Sequence, residues 1–176
     1  FDHMDHGGQG SLSQFYEDRL GIVELYDQSG IYAYHLAEHH ATPLGMAPSP
    51  NIFLSAVAQR TKKLRFGPLV YCLPLYHPIR LLEEICMLDQ MSGGRLEMGV
   101  GRGISPIELN YWGINYDDGP LIYKEVFDLI TKGISDNKLN HNGSSFQISD
   151  MPMNLSLIQQ PHPPLWYGVA NPSSVE

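Results

Sequence analysis

The sequence predicts an α/β fold built on a parallel sheet, and three observations carry that prediction. Strand starts near residues 31, 64 and 95 recur about every 30 residues, the spacing that strand–helix–strand units require. Strands such as Leu69-Val70-Tyr71-Cys72-Leu73 are continuously apolar, as strands covered on both faces are. Between them lie helical patterns with their own start and stop residues. Periodicity alone leaves a doubly wound sheet and a closed barrel equally open, and both place their sites at the carboxyl ends of strands.

The elements follow in order. Ser11 to Ser29 reads as an amphipathic helix, with Leu12, Phe15, Tyr16, Leu20, Val23 and Tyr26 at helical spacing and Gly30 ending it. Ile31 to Ala37 reads as a buried strand, and Glu38-His39-His40 follows at its end. Ser49 as N-cap and Pro50 at the first position introduce a helix over 51–61. Leu64 to Leu73 reads as the second strand, Pro78 to Met91 as a helix closed by Gly93-Gly94, and Arg95 to Val100 as a third strand. Ser105-Pro106-Ile107-Glu108 has the form of a capping box, and a longer helix spans 121–133. Lys138 to Ile148 reads as a hairpin around Asn142-Gly143, residues that suit positive φ in a tight turn. A proline-rich connection leads to a last strand, Leu165 to Val169.

Composition narrows the function. Hydrophobic residues make up 43% and charged residues 17% of the 176, the balance of a globular protein. The formal charge of −8, from 11 Lys+Arg against 19 Asp+Glu, argues against a nucleic-acid partner, because such binding neutralises phosphates with basic side chains. No apolar stretch approaches the roughly 20 residues that cross a bilayer, so no membrane association is expected. The opening residues show no charged-then-apolar leader, and the start at Phe1 rather than Met carries the expectation that something has been removed upstream. Cys72 and Cys86 sit in apolar surroundings and are expected to be reduced core thiols of a cytoplasmic protein.

Several constellations carry chemistry. In Glu38-His39-His40 a histidine can move protons near neutral pH, with a carboxylate to orient it. Extended backbone would point Glu38 and His40 one way and His39 the other, which disfavours one metal gripping both imidazoles; no metal site is expected. The alternative is a set of hydrogen-bonded structural histidines. Gly99-Val100-Gly101-Arg102-Gly103 runs from a strand towards a capped helix. There the glycines permit close approach of a ligand, and Arg102 can bond a phosphate bidentately. It is not the dinucleotide fingerprint, whose third glycine would fall at Ile104; the competing reading is a tight turn with Arg102 paired to an acidic neighbour. The apolar end of the second strand could wall a flat cofactor or simply be core, and the small residues of Val169-Ala170-Asn171-Pro172-Ser173-Ser174 suit a phosphate or an ordinary turn. His3 and His6 either line a site or belong to a polar loop.

Ala37-Glu38-His39-His40 with Ala47-Pro48-Ser49-Pro50-Asn51 resembles the bacterial-luciferase-like flavin monooxygenases. The likeness continues through Leu73-Pro74-Leu75-Tyr76-His77-Pro78-Ile79-Arg80, Leu88-Asp89-Gln90-Met91-Ser92-Gly93-Gly94-Arg95-Leu96, Gly101-Arg102-Gly103 and Pro161-His162-Pro163-Pro164-Leu165-Trp166, in the family's order. The resemblance implies a (β/α)8 TIM barrel, present here as a partial barrel of about strands 1–5. Residues 1–5 would be the tail of the first strand, and 1–176 a single incomplete domain with a β-hairpin insertion near 138–148, since such barrels take about 250 residues.

It further implies reduced FMN, supplied by a separate flavin reductase, and O2 acting on a small organic, aldehyde-like substrate, with a homodimer as a common assembly. Carried over by position, His39 matches the catalytic histidine and Glu38 its neighbouring carboxylate. Leu69 and Val70 match a non-proline cis peptide under the flavin. Arg102, between Gly101 and Gly103, matches a phosphate ligand, and Ala170 and Asn171 match the contact after the fifth strand. Light-emitting members carry a reactive cysteine at the place of Gly101 and a second arginine at that of Pro120, so light emission is not expected. Two other outcomes stand beside the monooxygenase: a non-catalytic flavin-binding protein or inactive fragment, and a deazaflavin-dependent oxidoreductase. The three groups, acid–imidazole run, Arg102 and final turn, are expected to converge on one rim.

Overall fold

The computed structural model describes residues 1–8, 10–42 and 45–169. In chain order its elements are α1 (Leu12–Ser29), β1 (Ala33–Leu36), α2 (Pro50–Arg60), β2 (Arg65–Pro68), β3 (Tyr71–Cys72), α3 (Pro78–Ser92), β4 (Met98–Gly101), α4 (Pro106–Tyr111), α5 (Gly119–Ser135), β5 (Lys138–Asn142), β6 (Gln147–Pro152) and β7 (Leu165–Tyr167). Two compact units divide the chain. The first holds Phe1–Tyr71, Glu97–Gly101 and the described residues from Pro164 onward, and the second holds Cys72–Leu96 and Arg102–Pro163.

The first unit holds the paired strands β1–β2 and β4–β7 and the two helices that precede the early strands. Ser11 starts α1 by accepting from Gln14 N at 3.2 Å, and Gly30 ends it in the left-handed conformation, φ 76°. Pro50 opens α2 as expected, although Ser49 makes no side-chain cap bond. Strands β1 and β2 pair in parallel from Ala33 opposite Arg65 to Leu36 opposite Pro68. Strands β4 and β7 also pair in parallel, Met98 opposite Leu165. Glu97 N donates to Phe66 O at 2.8 Å and ties the start of β4 to β2. At the other side Asp2 forms an isolated parallel bridge with Leu36. Leu36, Leu54, Val57, Leu64, Phe66 and Met98 fill the core, all with essentially no exposure.

Four strands differ from expectation: Arg95–Val100 is observed as Met98–Gly101, Leu165–Val169 as Leu165–Tyr167, and the two earlier strands change more. The stretch 31–37 forms a strand only over Ala33–Leu36. The apolar run 64–73 is broken into β2, β3 and a 3₁₀ turn at Leu73–Leu75, with Leu69–Val70 as a cis peptide between the strands. Pro68 and Pro74 lack the N–H a continuous ladder would use, and both sit at the breaks.

A buried charge lies within this sheet. Glu97, fully buried, accepts from Arg65 Nε at 2.7 Å and from His35 Nε2 at 3.2 Å. Burial pushes the His35 imidazole below its ordinary value, and the Glu97 carboxylate opposes part of that shift. The folded state therefore resists a proton that the unfolded chain accepts at about pH 6.5. His35 contributes stability that is present above that pH and is lost as pH falls through the lower folded value. The urea midpoint should drop between pH 7.5 and 5.5, and the drop should be smaller in His35→Asn; equal slopes in the two proteins would remove His35 from the account.

In the second unit α3 packs on α5 through Leu81, Leu82, Ile85, Val126, Leu129 and Ile130. The contact is close at Gly133, where a Cβ would stand 2.3 Å from Leu82 Cδ2. Asp89, on α3, is buried and accepts from Ile158 N at 2.7 Å, Gln159 N at 3.1 Å and Gln159 Nε2 at 2.8 Å. Ser105 caps α4 by accepting from Glu108 N at 3.3 Å. Both cysteines are free and buried, and burial pushes the Cys86 thiol up to about 11.

The hairpin of β5 and β6 is antiparallel, Lys138 opposite Pro152, and so extends past the expected end at Ile148. Its turn also differs. Neither Asn142 nor Gly143 is left-handed. Gly143 lies close to α5 instead: a Cβ there would stand 2.0 Å from Glu125 Oε1. That carboxylate accepts from His141 Nε2, Ser144 Oγ, Ser145 N and Phe146 N. Burial pushes the Glu125 carboxyl up, but these donors outweigh it and pull it down to about 2. A helix carboxylate, not a glycine conformation, sets this turn. Among the described residues no helix is long and apolar enough to cross a membrane.

Candidate functional site

The parallel pair β1–β2 and the neighbouring strand β4 deliver the first unit's candidate residues. β1 ends at Leu36 and is followed by Ala37, Glu38, His39 and His40. Leu69 N donates to Leu36 O at 2.7 Å, so Leu69 and Val70 leave β2 beside them. β4 ends at Gly101. Leu69 and Val70 are half-buried, as are His39 and His40, whereas Glu38 is buried.

His40 Nε2 donates to Glu38 Oε1 at 2.9 Å. Glu38 and His40, two residues apart, thus face the same side, as the alternation read from the sequence expects. The resemblance implied Glu38 beside His39; the structure adds His40 as a partner of the same carboxylate. The His39 ring stacks on His3, and Gly45 lies against its Cβ.

β4 runs hard against the segment it neighbours. A Cβ on Gly99 would stand 2.2 Å from Pro68 O, and one on Gly101 would stand 2.4 Å from Val70 Cγ2. Val70 thus occupies the space that a side chain at 101 would need, which is the physical reason for glycine rather than cysteine there. Behind the site Tyr71, fully buried, donates its hydroxyl to Asn51 Oδ1 of α2. That bond links Asn51 of the Ala47–Asn51 motif to the strand after the cis peptide.

Arg102 and Gly103 belong to the second unit. Arg102 is exposed and forms no ion pair among the described residues, so pairing with an acidic neighbour is not what the structure shows. Gly103 has φ +78°, and a Cβ there would stand 2.5 Å from Cys72 Sγ; both features demand glycine. Ala170 and Asn171 lie outside the described residues. The expected meeting of all three groups therefore has one member in each unit and a third beyond description. Sequence reading missed Glu97 and Gly45, and read Tyr71 only as part of an apolar strand end. A lone acid inside Leu96-Glu97-Met98 was the available signal for the first; Gly45 carried none.

The family model for luciferase-like monooxygenases matches residues 1–176. A Sinorhizobium fredii protein designated y4wF is 49% identical over 174 residues, 99% of this chain and 51% of its own length. The oxygenase component of the flavin-dependent trigonelline monooxygenase of Acinetobacter baylyi is 30% identical over 179 residues, covering all of this chain and 49% of its own length. Among solved structures, the monooxygenase RslO1 of Streptomyces bottropensis superposes with a TM-score of 0.90 at 27% identity, over 95% of this chain and 51% of that one. The chain spans about half the length of these relatives. With a match that runs unbroken from Phe1 to Glu176, this chain belongs to the luciferase-like monooxygenase family.

Proposed function

We propose that the protein is a flavin-dependent monooxygenase that uses reduced FMN and O2 to oxidise a small, aldehyde-like organic substrate, with a separate reductase supplying the flavin. One observation carries this reading: the parallel pair β1 and β2 brings Glu38-His39-His40 and Leu69-Val70 out at the same end, and Gly101, at the end of β4, lies against Val70. The family match over the whole chain supports reading it as strands 1–5 of a (β/α)8 barrel, one domain with the hairpin as an insertion. Free, buried cysteines suit the cytoplasm.

The residues present fit the cofactor's phosphate. Arg102 is an exposed guanidinium with no carboxylate partner among the described residues. Arg102 would hold the phosphate, and Ala170 and Asn171 are proposed as further flavin contacts. When bound, reduced flavin supplies the electrons with which oxygen is activated and one of its atoms passed to substrate. His39 accepts and returns a proton at a ring nitrogen, a task imidazole suits near neutral pH. The buried Glu38 keeps the acid–imidazole run in place through His40. Half-buried Leu69 and Val70 present apolar surface that sheds water from the reacting centre.

Titration with FMN and with a deazaflavin, followed by oxygen-consumption assays with a reductase, tests the reading. The protein should bind FMN, Arg102→Ala should weaken binding about tenfold or more, and His39→Ala should bind flavin yet lose turnover. Preference for the deazaflavin would shift the chemistry to hydride transfer. Flavin binding without turnover would leave a binder, and no binding at all would leave an inactive fragment.

A further inference from the structure

We propose that His3 is a positioning residue for His39: it sets the plane of the proton-carrying ring. The proposal rests on the reading of His39 given above, while the contact beneath it does not. The two imidazoles stack with centroids 5.8 Å apart and planes 20° from parallel. His3 is itself exposed, and Phe1 meets its ring edge-on at 4.8 Å.

An imidazole needs two settings before its nitrogens point anywhere useful. Its Cβ must be placed, and its plane must be fixed about the Cβ–Cγ bond, a torsion with broad wells. Gly45 supplies the first. Its own Cβ, if present, would stand 2.5 Å from His39 Cβ and 3.0 Å from His39 O, so the 45 backbone is pressed directly on residue 39. His3 supplies the second, because a ring tilted out of parallel loses the stacked face.

The support for His3 is built into the sheet. Asp2 N donates to His35 O at 2.8 Å, and Ala37 N donates to Asp2 O at 2.9 Å, so residue 2 is locked against β1 two residues before His39. The Asp2 carboxylate accepts from Met4 N at 2.8 Å, from the Tyr34 hydroxyl at 2.9 Å and from Arg19 Nη1 at 3.3 Å. Met46 N donates to Met4 O at 3.2 Å. The segment bearing His3 and the segment bearing Gly45 are therefore bonded to each other, and His39 lies against both. An exposed histidine would need none of this anchoring for its own sake.

The test compares His3→Ala, which removes the stacked face, with His3→Phe, which keeps it. The His39 ring resonance, assigned by its loss in His39→Gln, is read first by NMR. Its displacement by the neighbouring ring should vanish in His3→Ala and persist in His3→Phe. Turnover with reductase-supplied FMN should then fall in kcat by about 10- to 100-fold in His3→Ala with KM unchanged, and be restored in His3→Phe. Far-UV circular dichroism of both variants should match that of the unaltered protein. The proposal is overturned if the resonance of His39 does not move in His3→Ala, or if kcat survives the loss of stacking. If the unaltered protein binds no flavin and turns nothing over, the functional reading itself fails, a result distinct from a working enzyme indifferent to His3.

Discussion

Glu97→Ala should destabilise the fold by about 3 kcal/mol, towards the lower end of what breaking a buried ion pair costs. The side chain is wholly enclosed, and its two oxygens serve different strands: Oε1 takes Arg65 Nε of β2 and Oε2 takes His35 Nε2 of β1. Deleting it leaves a guanidinium in a place where little water reaches, since the Arg65 side chain keeps only 22% exposure. That residual access is why the loss should sit near 3 rather than 5. Glu97→Gln keeps an acceptor of the same length and should lose less, about 1–2 kcal/mol. The check is a urea titration: the midpoint should move with the slope unchanged. An alanine variant within about 0.5 kcal/mol of the parent would mean that the cluster contributes nothing net.

Asp89→Ala should cost a similar amount, about 3 kcal/mol, through a different route. Here the carboxylate gathers two backbone N–H groups and one side-chain amide from residues 158 and 159, and Gln159 Nε2 also donates to Leu96 O at 2.7 Å. Removing the acceptor takes away the partner of the Ile158 and Gln159 backbone N–H groups at once. Asp89→Asn should rescue little, because an amide must turn one donor towards the incoming donors. Hydrogen exchange gives the sharper readout. The amides of Ile158 and Gln159 should lose protection in Asp89→Ala while those of β1 and β2 keep theirs. Retained protection at 158 and 159 would show that the loop is held by something other than this carboxylate.

These two acids show where the sequence stops being readable. Helix ends were legible because caps are local: Ser11, Gly30, Pro50, Pro78 and Ser105 act within one turn of themselves. The parallel character of the strands was legible from spacing and apolarity, whereas their order was not. The break inside 64–73 was not, since apolar residues continue through it and only Pro68 and Pro74 mark the change. Partners of Glu97 lie 32 and 62 residues away, and those of Asp89 lie 69 and 70 away. Nothing in local periodicity encodes such pairings. The motif Leu88-Asp89-Gln90 was noticed only as a likeness, and the structure supplies its chemistry. At the site, the run Glu38-His39-His40 was found by residue type, and its alternation correctly put Glu38 with His40. The face-to-face contact of His39 with His3 spans 36 positions of chain and leaves no local trace.

The discontinuity of the first unit also bears on how the polypeptide matures on the ribosome. Its sheet takes strands from three separated stretches, and β7, which pairs with β4, begins only at Leu165. Until that strand has left the exit tunnel, β4 keeps an open edge and Asp89 waits for residues 158 and 159. The nascent chain therefore passes a long interval with both long-range closures unmade, so pauses in translation before this point should prolong its dependence on chaperones.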